Sequence, residues 1–344
     1  MKIGIDGRIC DEDSLYARFC EELIEAFVAE NSEHEIIVYR KSNLNLSKHK
    51  YLDNLTAGKI FNKENFAFML FFDYCIPSKY SWEYSIVLEW LKEIFFPKKQ
   101  WLHRKIHSYK LTKAIANSTN IIALDGGTAL ELNESLNVAE SKIRNIPAFF
   151  PSYEITAEKV VHSEIKTKHN LRGEYLIYDS GNEIHNNFER ILKTIKKLKN
   201  SWVIVYIIIL CDATTKDLDI RSKVIEYDIA NQVLFLGQVS KDIEHLYYEQ
   251  SLGVIFSSIY ESFPFQFVKA IAYNCHIFAN DIPANRQIMD DSISYLDPLS
   301  IHNMRDSIKQ YIQSQSEADY SKVLSWYTPR ESAHHLSEIL ILEK

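Results

Sequence analysis

The chain has 344 residues, 46% of them hydrophobic and 25% charged, which is ordinary for a soluble globular protein and long enough for two domains. A net charge of −7 argues against a nucleic-acid binder, which needs a basic surface to displace counterions from phosphates. The five cysteines include no C-x-x-C pair and read as small buried hydrophobes in a reducing, cytoplasmic compartment.

In chain order, residues 2–6 form a strand that opens the chain without the charged-then-apolar pattern of a leader. Residues 14–29 predict a helix, because Leu15, Phe19, Leu23 and Phe27 recur on one face. Strands follow at 35–39 and 66–72. Residues 84–96 and 101–116 read as helices, with Pro97 as the breaker between them. A strand at 120–124, a helix at 128–136 and a strand at 143–146 complete the first half. Pro147, Pro151 and the polar stretch to Gly173 mark a boundary.

The alternation then restarts. Strands are expected at 175–178, 203–210, 233–236, 253–256 and 276–279, with helices at 188–198, 217–228, 242–248, 266–273 and 301–313. Strands alternating with helices at this spacing mean parallel sheets covered on both faces. The expected fold is α/β, two Rossmann-like doubly wound domains in series: 1–150, 151–322, and a closing helix at 323–344. In such sheets ligands sit at the carboxyl ends of the strands, here in the gap between the two domains. No apolar run reaches the ~18–20 residues of a spanning helix; the longest, 202–211, has the length of a buried strand.

The second half carries a specific order of parts: a strand ending in Leu236-Gly237, a helix ending near Tyr247, a strand ending in Ser257-Ser258, then a loop led by Glu261 and a helix. This order resembles the C-terminal domain of retaining glycosyltransferases of family 4, which have the GT-B fold. The opening Lys2-Ile3-Gly4-Ile5-Asp6-Gly7-Arg8-Ile9 resembles that family's first strand and turn. Leu324-Ser325-Trp326 and Glu331-Ser332-Ala333 resemble its closing helix, which packs back on the first domain.

The resemblance implies a metal-independent enzyme without a cofactor. It would move a hexosyl unit from a nucleotide-diphosphate sugar to a glycan or lipid-linked acceptor in surface polysaccharide or glycoconjugate synthesis. Glu261 matches the carboxylate near the donor-sugar hydroxyls; it could equally be a helix-start charge complementing the dipole. The backbone N–H groups of Phe263, Phe265 and Gln266 open a helix and suit a pyrophosphate, and Pro264 fits the first turn. Gly237, Ser258 and Asn187 match further donor-side positions, and Arg8 and Arg18 the acceptor-side or phosphate loop.

Several positions depart from the pattern. A second family carboxylate, which takes the ribose hydroxyls, falls on Lys269, and an ammonium only donates. Leu15, Tyr16 and Ala17 replace glycines in the first loop, where side chains would crowd a phosphate. A His-Asp pair becomes Phe72-Asp73, so Asp73 is expected near the acceptor without its histidine. The basic residues for the pyrophosphate become Gly181 and Asn186. A glycine becomes Asn274, the next most tolerant residue at positive φ, and a later helix-start Glu becomes Gln287. The leaving diphosphate needs its charge stabilised; Lys269, Arg8, Arg18 and Arg286 are the candidate substitutes, Lys269 first. Otherwise the chain is a catalytically silent relative that binds a partner transferase or a glycan.

Residues 90–113 hold seven lysines and arginines (Lys92, Lys98, Lys99, Arg104, Lys105, Lys110, Lys113) interleaved with Trp90, Phe95, Phe96 and Trp101. Such a stretch suits an anionic membrane surface at the inner face; it also fits solvated helices with their aromatics in a core. No H-e-x-x-H, Walker, G-x-S-x-G or G-x-G-x-x-G motif occurs. Adjacent His334 and His335 point to different parts of a helix face and make poor metal partners.

Overall fold

The computed structural model describes residues 1–342 apart from 43, 45–49, 78–79, 90, 92–94, 97–100, 156–164, 182, 212–215, 315 and 327; the side chains of 50–55 and 101–104 also lie outside the described set. Pro97 and much of the polar stretch before Gly173 therefore fall outside it. The chain divides into two compact units, Met1–Pro151 with Leu324–Lys344, and Ser152–Val323.

The first unit is one six-stranded sheet of β1 (Lys2–Asp6), β2 (Glu35–Tyr39), β3 (Phe68–Phe71), β4 (Tyr84–Leu88), β5 (Ile121–Ala123) and β6 (Ile143–Asn145), ordered β2-β1-β3-β4-β5-β6. Every neighbouring pair is parallel. Ile3 and Ile5 of β1, all of β3 and all of β4 are buried, as parallel strands covered on both faces must be. Gly4 is required by close approach: a Cβ there would sit 2.8 Å from Met69 Cγ.

Residues 84–88 correct the expected helix. Tyr84-Ser85-Ile86-Val87-Leu88 lies between β3 and β5 with every residue buried. A run apolar on both faces has no helical stripe, and its β-branched residues suit a central strand. The helix Lys50–Phe61 was not foreseen.

Helix Leu15–Glu30 is capped by Ser14, whose side chain accepts from the Ala17 N–H, and buries Phe19, Leu23 and Phe27. The closing helix Pro329–Ser337 starts at a Thr328 cap with proline in its first turn. It packs on helix Leu15–Glu30: Asn31 Nδ2 donates to Ser337 Oγ at 2.8 Å, and His334 Nδ1 pairs with Glu30 at 2.7 Å. Ser332 Oγ donates to the Pro147 carbonyl.

The second unit is a sheet of β7 (Glu174–Tyr178), β8 (Val205–Ile209), β9 (Val233–Phe235), β10 (Gly253–Phe256), β11 (Ile277–Asn280) and β12 (Ser294–Leu296), ordered β12-β11-β10-β7-β8-β9 and parallel throughout. Helix Phe188–Lys199 lays Ile191, Leu192, Ile195 and Leu198 against it. The helix Pro283–Met289 and strand β12, both short, went unread in the sequence. Asn274 has φ 49° and Gly237 φ 74°, so the asparagine expected at positive φ occupies that conformation.

His276 leads into β11. Its ring stacks on Tyr311 with centroids 3.7 Å apart, and its Nε2 lies 2.9 Å from Ser294 Oγ. Burial lowers its pKa to about 4. The unfolded chain takes up this proton near pH 6.5, and the folded histidine takes it up only near pH 4. Stability is therefore full above pH 6.5 and falls as pH drops toward 4, by up to about 1.4 kcal/mol per pH unit. His276→Phe keeps the stack and should flatten urea midpoint against pH across that window; an unaltered slope assigns the dependence to other groups.

Candidate functional site

In an open parallel sheet the ligand crevice lies where strand order reverses. In the second unit that point falls between β7 and β10, because β8 and β9 continue on one side of β7 and β10 to β12 on the other. The connections leaving β7 and β10 meet there: Ile259 N donates to the His185 carbonyl at 2.8 Å, and Ser257 Oγ donates to the Asn186 carbonyl at 2.5 Å. Asn187, Ser258, Glu261, Phe263, Pro264, Phe265, Gln266 and Lys269 all lie on these connections or the helix after them, and Gly237 follows β9.

Their local geometry refines the expectations. Glu261 is half-buried, and its charge contributes to raising the pKa of Tyr178, after burial as the largest cause. The segment expected as one helix from 266 begins as a 3-10 turn, Phe265–Phe267, followed by the five-residue helix Val268–Ala272. The Phe265 N–H donates to the Phe263 carbonyl at 2.9 Å, so of the three expected amides this one is committed to the chain itself. Phe263 and Phe265 are buried, their rings 4.8 Å apart. Ser258 Oγ donates to the Tyr260 carbonyl at 2.9 Å. Asn187 is left-handed, φ 53°, and its Nδ2 donates to the Pro298 carbonyl at 3.3 Å; both features serve the turn into helix Phe188–Lys199.

Lys269 is the largest correction. Its ammonium donates to Asp179 Oδ2 and to Glu244 Oε1, each at 2.8 Å. Burial alone would lower its pKa; the two carboxylates outweigh that and hold it above the ordinary value. Glu244, on helix Lys241–Glu249, also accepts from Tyr153 at 2.7 Å and Tyr273 at 3.2 Å, both on Oε2. Tyr248 donates to Asp179 Oδ2 at 3.1 Å. Lys269, expected first among the cations for the phosphate, is thus paired with two carboxylates in this structure.

Two other candidate cations are spoken for. Arg8 makes a two-pronged bond to Asp6, 2.8 and 2.6 Å. Arg286 does the same to Asp281, 2.7 and 2.8 Å, and lies 3.6 Å over the Tyr295 ring. Arg18 is half-buried on helix Leu15–Glu30. Asp179, Asp6 and Asp281 were not read as site residues. The signal available was indirect: a lysine or arginine placed where protein surrounds it needs a carboxylate.

In the first unit the order reverses between β1 and β3. A cavity of about 190 Å³ opens beside the ends of β3 and β4, lined by Phe72, Asp73, Tyr74, Leu88, Glu89 and Tyr16 among others. Tyr16, on helix Leu15–Glu30, donates to the Phe72 carbonyl at 3.1 Å, so its side chain forms part of the cavity wall. Asp73 touches solvent, yet surrounding protein raises its carboxyl above the usual value by desolvation; bonds from Cys75 and the Tyr74 and Cys75 amides pull the other way. Glu89 was missed in the sequence because 84–96 read as a helix.

Helix Trp101–Asn117 exposes Ile106 (45%) and Tyr109 (68%), in line with Lys113 one turn further on. Trp90, Lys92, Lys98 and Lys99 of the basic stretch lie outside the described residues, as do the side chains of Trp101 and Arg104. No described helix is long and apolar enough to cross a membrane. Among the described residues no group of three or more His, Cys, Asp and Glu side chains is arranged to hold a metal.

Comparison with known proteins places this geometry. Residues 162–323, within the second unit, match the family model described as glycosyl transferases group 1. A segment of 129 residues is 24% identical to the O-antigen chain mannosyltransferase RfbU of Salmonella typhimurium (strain LT2), covering 38% of this chain and 36% of that protein. The chain thus spans about a third of that relative's length. The whole fold is similar to sucrose-phosphate synthase from Thermosynechococcus elongatus, with TM-score 0.63, 11% identity, and coverage of 100% of this chain and 96% of that one. It is equally similar to Anabaena HepE solved with UDP-glucose, with TM-score 0.63, 13% identity, and coverage of 98% and 95%. The fold is GT-B, and the family match supports a glycosyltransferase.

The ion triad makes a stability prediction. Lys269→Met leaves Glu244, with 7% of its side chain exposed, buried against an apolar group, at a cost of roughly 3–5 kcal/mol. Adding Glu244→Gln should restore most of that loss in urea melts. Equal stability of wild type and Lys269→Met would show that the lysine is not a buried ion-pair partner.

Proposed function

We propose that the chain is a retaining glycosyltransferase. It transfers a hexosyl unit from a nucleotide-diphosphate sugar to a hydroxyl of a glycan or lipid-linked acceptor in surface polysaccharide synthesis, at the cytoplasmic face of the membrane and without a metal. The observation that carries this reading is the β7–β10 crevice. The Glu261 loop ends there, inside the segment that matches the glycosyl transferase model. RfbU, by its name, transfers mannose to O-antigen chains, and HepE was solved with UDP-glucose; both support a hexosyl donor, and the first supports a glycan acceptor.

In the reaction the bond from the sugar C1 to the diphosphate oxygen breaks, and a bond from C1 to the acceptor oxygen forms. The acceptor proton leaves with the diphosphate. Glu261 accepts from the donor-sugar hydroxyls and orients C1, which lowers the barrier by fixing the reacting atoms. Amides of the loop through Gln266 face the diphosphate. Asp73, with its raised carboxyl, lines the first unit's cavity and takes an acceptor hydroxyl.

The silent reading is kept because Lys269, Arg8 and Arg286 are each matched by carboxylates, which weakens stabilisation of the leaving group. A thermal-shift screen with UDP, GDP, ADP and their sugars separates the two, since a ligand of the native state alone raises the melting temperature. An active transferase should gain several degrees with one donor and hydrolyse it slowly. Glu261→Ala should cut that hydrolysis at least a hundredfold, roughly the effect of losing a positioned group. No shift with any nucleotide sugar leaves the silent reading.

We further propose that the helix Trp101–Asn117 rests on an anionic bilayer through Ile106 and Tyr109, with Lys105, Lys110 and Lys113 beside them. The protein should float with phosphatidylglycerol vesicles at low salt, and Ile106→Ser with Tyr109→Ser should abolish flotation. Recovery of wild type in the pellet fraction removes the membrane contact.

A further inference from the structure

The two carboxylates that hold Lys269 differ in what they have left to offer. Glu244 is saturated: Oε1 takes Lys269, and Oε2 takes Tyr153 and Tyr273. Its side chain is 7% exposed. Asp179 is the first residue beyond β7, at the carboxyl end of the strand where the order reverses. Both of its donors, the Lys269 ammonium at 2.8 Å and the Tyr248 hydroxyl at 3.1 Å, land on the same oxygen, Oδ2. Among the described residues Oδ1 accepts nothing, and the side chain is 19% exposed. Asp179 is therefore held by one oxygen from two directions, while the other has no protein donor among the described residues.

An anionic acceptor fixed in this way repels phosphate and takes a hydroxyl donor. Carboxylates at strand ends are how nucleotide-binding α/β sheets take up ribose hydroxyls. Glu261, assigned to the transferred sugar, lies in the loop before the 3-10 turn. Lys269 lies beyond that turn, on the next helix. A hydroxyl group at Asp179 thus belongs to the other end of a donor whose sugar is at Glu261.

We propose that Asp179 is the specificity-determining residue for the ribose of the donor, Oδ1 accepting from its hydroxyls while Lys269 and Tyr248 hold the carboxylate in place. This deepens the transferase reading above and rests on it. The position that carries Lys269 cannot itself accept from a diol, and it supplies the acceptor indirectly, by drawing a carboxylate from β7 to the same spot.

The test is a binding comparison that needs no turnover. Wild type is titrated with UDP, GDP and ADP and with the 2′-deoxy form of each, by calorimetry. For the nucleotide that binds, the ribo form should be favoured by roughly tenfold or more, the scale of a hydrogen bond to a charged group. Asp179→Asn directs its amide oxygen to Lys269 and its N–H₂ outward; it should lose that preference, weakening the ribo form while leaving the deoxy form unchanged. Tyr248→Phe, which removes only the second anchor, should fall between. Equal affinity of wild type for both forms overturns the assignment and leaves the transferase reading standing, and needs no variant to fold. A preference retained in Asp179→Asn overturns it equally. No binding of any nucleotide to wild type sinks the transferase reading, and this assignment with it.

Discussion

The buried contact of one ammonium with two carboxylates organises the second unit's crevice. Lys269 draws together the end of β7 through Asp179, helix Lys241–Glu249 through Glu244, and its own short helix. Three tyrosines, Tyr153, Tyr248 and Tyr273, complete the shell. Such a pair adds little net stability, since desolvation costs about as much as the attraction returns. Its value is geometric. A helix of five residues has little rigidity of its own, and three elements that share one cation cannot shift independently.

The same rule extends across the candidate cations. Arg8 answers Asp6 and Arg286 answers Asp281, each in the planar two-pronged geometry that a guanidinium offers a carboxylate. Counting basic residues near a proposed phosphate site therefore overstates its attraction for anions. What matters is the charge left after pairing, and the triad of Lys269, Asp179 and Glu244 sums to one negative charge.

Most of the fold was legible because its signal is periodic. Alternating apolar runs and 3.6-residue stripes located ten of the twelve described strands, all but the 84–88 segment and the brief β12. Tyr84–Leu88 failed because a strand buried on both faces shows no alternation, and its neighbours extended the apolar run to helical length. Asn274 was legible because the resemblance places a glycine there and asparagine is the next most tolerant residue at positive φ. The site was less so. Glu261 stands out by position, but pairing is a long-range property: Lys269 and Asp179 are ninety residues apart in sequence. No local pattern links them.

These pairings bear on how a donor could be held. Where cations are matched, recognition shifts from phosphate charge to hydroxyl groups, which carboxylates accept strongly. Glu261 and Asp179, the two acceptors of the proposed reading, lie on connections that meet at the strand reversal, one leaving β10 and one leaving β7. On that proposal, a ligand with hydroxyls at both ends and a short anionic link between them meets the two carboxylates with its ends. The link then falls near the loop through Gln266, where backbone dipoles, and not side-chain charge, are what the chain has to offer.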